Sequence, residues 1–144
     1  MKKSRKRSGR KYPRRKLWIE RRDAVFARAG EFCEISGVPL LIRIDDSPVL
    51  NPSWKWKRAA DHIWPERFVR RFIGDGADPH ILENLVVITP SLHAKKTAIE
   101  YLIFRADKLG YLRELNRLGY PQELIDRAMQ ALCASVRKSE ESKS

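Results

Sequence analysis

The stretch Ala60–Pro65 (ADHIWP) sets an acid beside a histidine at the end of a β-favouring run. Around it we predict an extended segment from Arg58 to Ile63, closed by the proline. Side chains alternate along a strand, so Asp61 and His62 point to opposite sides unless the backbone bends between them. We therefore expect a bend or a β-bulge at this pair.

A strand, a cap and a helix are predicted downstream. The turn-rich loop Gly74–Pro79 (GDGADP) leads into a second β-favouring run, Asn84–Ile88 (NLVVI). Thr89 is typical of a helix N-cap and Pro90 of a first helical residue. We predict one helix from Pro90 to about Leu109, ended by Gly110, with an apolar face toward the core and His93, Lys96 and Glu100 on the other face.

Flanking elements complete an α+β arrangement. We expect a helix over Leu17–Ala29, a strand over Pro39–Ile44 and a last helix beginning near Pro121. The apolar stripe of the last helix favours packing on the same domain over packing on a second chain. We divide the chain into a basic N-terminal arm (1–22), a central domain (23–112) and a C-terminal helix with a short polar tail (113–144).

Positive charge is concentrated in the arm. The formal net charge is +12, and residues 1–22 hold twelve of the thirty Lys and Arg with Glu20 as their only acid. A polyanion would neutralise such a run, and nucleic acid is favoured over a solubilising or membrane-surface role. No apolar run is long enough to cross a membrane and no signal-peptide core is present, so we expect a cytoplasmic protein with no membrane partner.

Two of the three histidines bracket a segment that carries further polar groups. His62 and His93 lie near the ends of a strand, loop, strand and helix segment that also holds Asp61 and Asn84. Phosphodiester hydrolysis needs a base for water, a divalent ion for the developing charge and a group that orients the base. These residue types supply such a set, although a lone histidine on a helix is more often structural than a ligand.

The segments ADHIWP (60–65), NLVVI (84–88) and LHAKKT (92–97) together resemble the signature of the HNH endonuclease family, also called the ββα-metal fold. That signature reads Asp-His-Ile-x-Pro, a Gly- and Asp-rich loop, Asn-Leu, and eight residues after the Asn a Cys-His or Asn-His followed by x-x-Lys. The match covers residues 60–97 and extends weakly back to about residue 20. The resemblance implies a small ββα-metal core with flanking helices, with 23–112 as the nuclease domain and a C-terminal helical extension that it does not explain.

The resemblance implies a role for each matched residue. His62 would be the general base, and Asp61 and His93 would hold one divalent ion. Asn84 would hold the His62 strand in register or, as in some family members, reach the metal. Lys95 and Lys96 would contact phosphates. Magnesium or manganese suits so few protein ligands, with zinc or nickel also open, and the products would carry 5′-phosphate and 3′-hydroxyl ends.

Further cations and the cysteines extend this interpretation. We predict nucleic-acid contacts from Lys55 and Lys57, which alternate with tryptophans, although this pattern is as often a half-buried strand face. We predict further contacts from Arg67, Arg70 and Arg71, with a solvated face as the alternative. His80 is expected to be a surface residue, with assistance to phosphate binding as the alternative. Many family members bind a structural zinc through two Cys-x-x-Cys pairs, but only Cys33 stands at such a position here, so we expect no structural zinc and a buried thiol.

We therefore expect a metal-dependent endonuclease acting on nucleic acid, with double-stranded DNA as the first choice. Nicking, double-strand cutting, branched DNA and RNA all stay open, because cations that read phosphates carry no sequence information. The alternative is a protein that binds nucleic acid on an HNH scaffold without cutting, such as a DNA-packaging accessory, a regulator or an RNA-binding protein. A phage or prophage origin, a phage packaging or other protein partner, and a monomer or a dimer are all compatible with the sequence.

Overall fold

The computed structural model describes the backbone of residues 12–40 and 58–143 and the side chains of residues 15–40 and 58–137. The elements along the chain are α1 (Tyr12–Ala29), β1 (Ala59–His62), α2 (Glu66–Phe68), a π-helical segment (Val69–Ile73), a 3₁₀ turn (Leu82–Asn84), β2 (Leu85–Ile88), α3 (Pro90–Ile99), α4 (Tyr101–Phe104), α5 (Lys108–Leu118) and α6 (Gln122–Lys143). Helices combined with a small antiparallel sheet make the fold α+β, as predicted.

The two strands pair without interruption. β1 and β2 run antiparallel from the pair Ala59 and Ile88 to the pair His62 and Leu85. Every residue of β1 has a partner, so no extra residue is inserted between Asp61 and His62, and the predicted bend or bulge at that pair is wrong. The chain bends only afterwards, at residues 63 and 64.

The start of α3 follows the prediction and its end does not. The Thr89 side chain accepts a hydrogen bond from the Leu92 amide, and Pro90 occupies the first turn, which confirms the N-cap. The helix ends at Ile99 and short α4 follows. Ala106 then takes a positive φ of 65°, which a continuous helix does not allow.

A new helix, α5, begins directly after this break. The side chain of Asp107 accepts a hydrogen bond from the amide of Gly110 and so caps the new helix. Gly110, the predicted stop, therefore lies in the first turn of α5. The single helix predicted from Pro90 to Leu109 is wrong.

The flanking helices cover the strands and the loop between them. α1 begins at Tyr12, earlier than predicted, so the limit of the arm at residue 22 falls inside it. The stripe on α6 is buried within the same chain, with Ile125, Ala128 and Leu132 fully buried. Of the strand predicted over Pro39–Ile44, Pro39 forms an isolated bridge with Phe32, and residues 41–44 lie outside the described residues.

Each helix within residues 12–40 and 58–143 is too short or too polar to cross a membrane.

Candidate functional site

The chain that leaves β1 is held by three buried side chains. The carbonyl oxygen of His62 accepts a hydrogen bond from Lys96 Nζ at 2.7 Å, and that of Ile63 accepts one from the Tyr111 hydroxyl at 2.6 Å. The carbonyl oxygen of Trp64 accepts one from Asn84 Nδ2 at 3.1 Å. Three consecutive peptide groups are thereby fixed, which holds the backbone that carries Asp61 and His62 in place.

Both the oxygen and the nitrogen of the Asn84 carboxamide hydrogen-bond to the backbone around this bend. It is fully buried; its Oδ1 accepts from the Trp64 amide at 2.9 Å, and its Nδ2 also donates to the Pro79 carbonyl at 2.9 Å. Of the two roles that the sequence left open, the geometry favours the first: the side chain ties the end of β1 to the loop before the 3₁₀ turn. Asn84 therefore fixes the backbone at Trp64 and Pro79.

Asp61 faces α3. Its Oδ1 lies 3.5 Å from Nε2 of His93, which stands in the second turn of α3 and is 44% exposed. Its Oδ2 lies 3.0 Å from Lys96 Nζ, yet this approach is not aligned as a hydrogen bond. The predicted metal ligands, Asp61 and His93, are therefore adjacent, with one carboxylate oxygen turned toward the exposed imidazole.

Lys96 does not reach solvent. Its side chain is fully buried and donates to Glu100 Oε2 at 2.6 Å as well as to the His62 carbonyl. Burial alone would lower the pKa of Lys96, but the carboxylates of Asp61 and Glu100 outweigh it and raise that pKa. The predicted phosphate contact by Lys96 is wrong, because its ammonium group is buried and hydrogen-bonded to Glu100 and to the His62 carbonyl.

His62 faces the opposite side of β1, where it meets His80. The Nε2 atom of His62 lies 2.9 Å from Nδ1 of His80, and the Trp18 ring stacks on the His62 ring at 5.4 Å between centroids. His80 itself is only 7% exposed. The prediction that His80 is a surface residue is wrong, because the loop before the 3₁₀ turn folds back over β1.

The loop that carries His80 is fastened to α1. Arg21 forms an ion pair with Asp78 at 3.1 Å and donates to the His80 carbonyl at 2.7 Å. The amide of His80 donates to Asp78 Oδ1 at 3.0 Å. α1 therefore supplies both the ring that covers His62 and the cation that fixes its partner.

The two facing imidazoles are disfavoured as cations. Burial, followed by the neighbouring His80, lowers the pKa of His62 to about 4. Burial also lowers the pKa of His80, although Glu66 and Asp78 oppose the shift. Both rings are therefore neutral at neutral pH, the form in which an imidazole acts as a base or as a metal ligand.

Glu66, in the first turn of α2, completes a second group of ligand atoms. His62, Glu66 and His80 each offer one donor atom, and these atoms lie within 4.8 Å of one another. Burial would raise the pKa of Glu66, but hydrogen bonds from Arg70 together with the nearby His80 lower it. This group could hold a metal ion, and it lies on the His62 side of β1, apart from the Asp61–His93 pair.

The remaining predicted nucleic-acid contacts are placed as follows. Lys95, Arg67 and Arg71 are exposed, while Arg70 is partly exposed and paired with Glu66. The guanidinium groups of Arg67 and Arg71 lie over aromatic rings, at 4.9 Å from Phe104 and 5.2 Å from Phe72. Lys55 and Lys57 lie outside the described residues.

The sequence interpretation missed four residues of this region. Glu66, His80, Glu100 and Tyr111 all contact the motif residues or belong to the same cluster. Glu100 lies four residues after Lys96 in the predicted helix, a spacing that could have suggested their contact, and Glu66 lies near His62 in sequence. His80 and Tyr111 carry no such signal, because their contacts depend on tertiary structure.

Comparisons with models of known protein families, with curated proteins and with solved structures each found no match.

Proposed function

We propose that the chain is a metal-dependent endonuclease that hydrolyses phosphodiester bonds in DNA, of the HNH type that the motif resembles. The observation that carries the proposal is the approach of Asp61 Oδ1 to His93 Nε2 at 3.5 Å across the junction of β1 and α3. An antiparallel strand pair followed by a helix, with an acid and a histidine converging, is the arrangement that the ββα-metal resemblance implies.

The spacing of these two atoms suits a shared cation. Asp61 Oδ1 and His93 Nε2, 3.5 Å apart, are the two protein atoms that would hold a divalent ion, because a carboxylate oxygen and an imidazole nitrogen are both common metal ligands. A divalent ion bound there would stabilise the charge that develops on the phosphate and the leaving oxygen. Lys96 already offsets part of the Asp61 charge, so the two protein ligands alone give a weak site, and phosphate oxygens from the substrate would strengthen it.

His62 is the group to accept the proton of the attacking water. Its Nε2 is occupied by His80, so Nδ1 is the nitrogen left for that proton, provided that Nε2–H donates to His80 Nδ1. His80 thereby sets the tautomer, as the partner of a catalytic imidazole does. In an in-line displacement the attacking and leaving oxygens lie on opposite sides of phosphorus. A phosphate bound at the end of β1, where Asp61 and His62 are the last two residues, would have the base on one side and the ion on the other.

Contacts to the nucleic-acid backbone would come from the exposed cations Lys95, Arg67 and Arg71, together with the basic N-terminal segment. Such contacts neutralise phosphates, so they give affinity without sequence preference. Double-stranded DNA remains the proposed substrate.

The test is cleavage of supercoiled plasmid by purified protein with magnesium or manganese, beside a chelator control. We expect metal-dependent cutting, loss of cutting with chelator, and a higher metal requirement in Asp61→Asn and His93→Ala. Glu123→Gln removes an exposed carboxylate from α6 and serves as the matched control for Asp61→Asn.

Two outcomes would contradict the proposal. A metal requirement in Asp61→Asn and His93→Ala equal to that of Glu123→Gln would remove these residues as ligands. If neither DNA nor RNA were cut while the protein still bound nucleic acid, the non-cleaving alternative would replace catalysis.

A further inference from the structure

We propose that His62, Glu66 and His80 form a second metal site, selective for a transition-metal ion such as Zn²⁺ or Co²⁺, whose filling withdraws His62 from hydrolysis. The binding half of this proposal stands alone, and the inhibitory half rests on the proposed function. The site lies on the face of β1 opposite to Asp61 and His93.

The histidine pair already has the separation of two ligands. Two nitrogens 2.9 Å apart, each about 2.1 Å from an ion, subtend an angle of about 90°. An ion placed between them replaces the single hydrogen bond that the two rings share. With Nε2 of His62 bound to the ion, the one proton of the neutral ring lies on Nδ1, so Nδ1 can no longer accept the proton of the attacking water. Only a small opening of the pair would be needed to reach a tetrahedral angle.

Glu66 supplies the third ligand from a partly exposed position. Arg70 donates both Nε and Nη2 to Oε2, and within the described residues Oε1 makes no hydrogen bond. The ligand atoms of the group lie within 4.8 Å of one another, and the ligands of one tetrahedral ion are about 3.5 Å apart, so the carboxylate needs to approach by roughly 1 Å at most. The side chain is 41% exposed, which leaves it room for that movement.

The surroundings select the kind of ion. The charges of Glu66 and Asp78 are matched by those of Arg70 and Arg21, so the site offers little net negative charge. Hard ions such as Mg²⁺ depend on anionic oxygen ligands, whereas zinc, cobalt and nickel bind well to neutral imidazole. Two imidazoles and one carboxylate are the ligand set of a common zinc arrangement.

The wall of the site is built before any ion arrives. Trp18 lies 5.4 Å from the His62 ring and 5.1 Å from the His80 ring, between ring centroids. Arg21 and Asp78 hold the backbone of His80 in place. Ligands that are held in position lose little conformational freedom on binding, which favours affinity.

Titration of the full chain with Co²⁺, followed by its visible absorption, tests the binding half. We expect one equivalent to bind with tetrahedral d–d bands in the wild type. The bands should be lost or weakened at least tenfold in affinity in His80→Gln and in Glu66→Gln, and kept in His93→Ala, which removes a histidine from the opposite face. Glu66 is exposed enough that its variant is informative even if His80→Gln folds poorly.

Bands that disappear in His93→Ala and persist in both other variants would overturn the proposal, as would the absence of binding in the wild type. The inhibitory half is tested by measuring the rate of magnesium-supported cutting in the absence and in the presence of equimolar Zn²⁺, and dividing the first rate by the second. We expect this ratio to be at least tenfold in the wild type and near one in Glu66→Gln. Equal ratios would overturn inhibition, and a chain that binds Co²⁺ but never cuts would refute the nuclease proposal while leaving the metal site standing.

Discussion

Replacing Lys96 by methionine removes the cation on which the core of the site depends. The ammonium is fully buried and contacts the His62 carbonyl, Glu100 and Asp61 at 2.7, 2.6 and 3.0 Å. Methionine keeps most of the apolar stem but leaves two carboxylates near each other without their shared partner. Removing one member of a buried charge group costs about 3–5 kcal/mol, because the remaining charges are left uncompensated.

This cost should appear as a large fall in melting temperature. For a chain of this size, 3–5 kcal/mol corresponds to a fall of about 10–15 °C. Lys95→Met is the matched control, because Lys95 is the exposed neighbour on the same helix and its loss should cost under about 0.5 kcal/mol. Thermal unfolding followed by circular dichroism measures both variants. Equal melting temperatures for the two would refute the account of Lys96 as the buried cation that holds β1 to α3.

Three further predictions concern Asn84, pH and the basic segment. Asn84→Ala leaves three buried backbone groups without a partner, so it should lower the free energy of unfolding, measured in urea, by about 3–5 kcal/mol. Asn116→Ala loses one hydrogen bond and should lower it by about 1 kcal/mol. Similar losses in the two variants would contradict the role of Asn84. The pKa of His62 is about 4 in the folded chain and about 6.5 in the unfolded chain, so on acidification the unfolded chain binds the proton first. The free energy of unfolding of the metal-free protein should therefore fall by about 2 kcal/mol as the pH is lowered from 7 to 5. That fall should shrink in His62→Gln, and an unchanged fall would show that His62 is not its source. Replacing residues 1–11, which hold seven Lys and Arg, by a neutral segment of equal length should reduce the slope of log affinity for duplex DNA against log salt by up to about 6; an unchanged slope would show that this segment does not bind phosphates.

Local sequence signals account for much of the fold. The β-favouring runs gave both strands nearly to the residue, and Thr89 with Pro90 gave the start of α3, because a cap and a first-turn proline act within one turn of helix. The end of that helix was not predictable in the same way. It depends on Ala106 adopting a positive φ and on the capping by Asp107, and no residue pattern specifies the first of these.

The residues of the site that belong to the sequence motif were predictable. The contacts that form only when distant parts of the chain pack together were not. The resemblance to the HNH signature paired Asp61 with His93, and the structure brings these two side chains to 3.5 Å. His80 was misjudged because its burial comes from α1, through Arg21 and Trp18, more than fifty residues away in sequence. Lys96 was misjudged because the sequence shows a charge on a helix face without showing that the face is covered.

The rate of plasmid cutting by His62→Ala relative to wild type, at saturating manganese and with the fold of both proteins checked by circular dichroism, tests the central claim most directly. A general base contributes about 10²–10⁴-fold, so cutting should fall by at least about 100-fold while the metal requirement stays within a few-fold. Equal cutting by the two proteins would contradict the assignment of His62 as the base and, with it, the proposed nuclease mechanism.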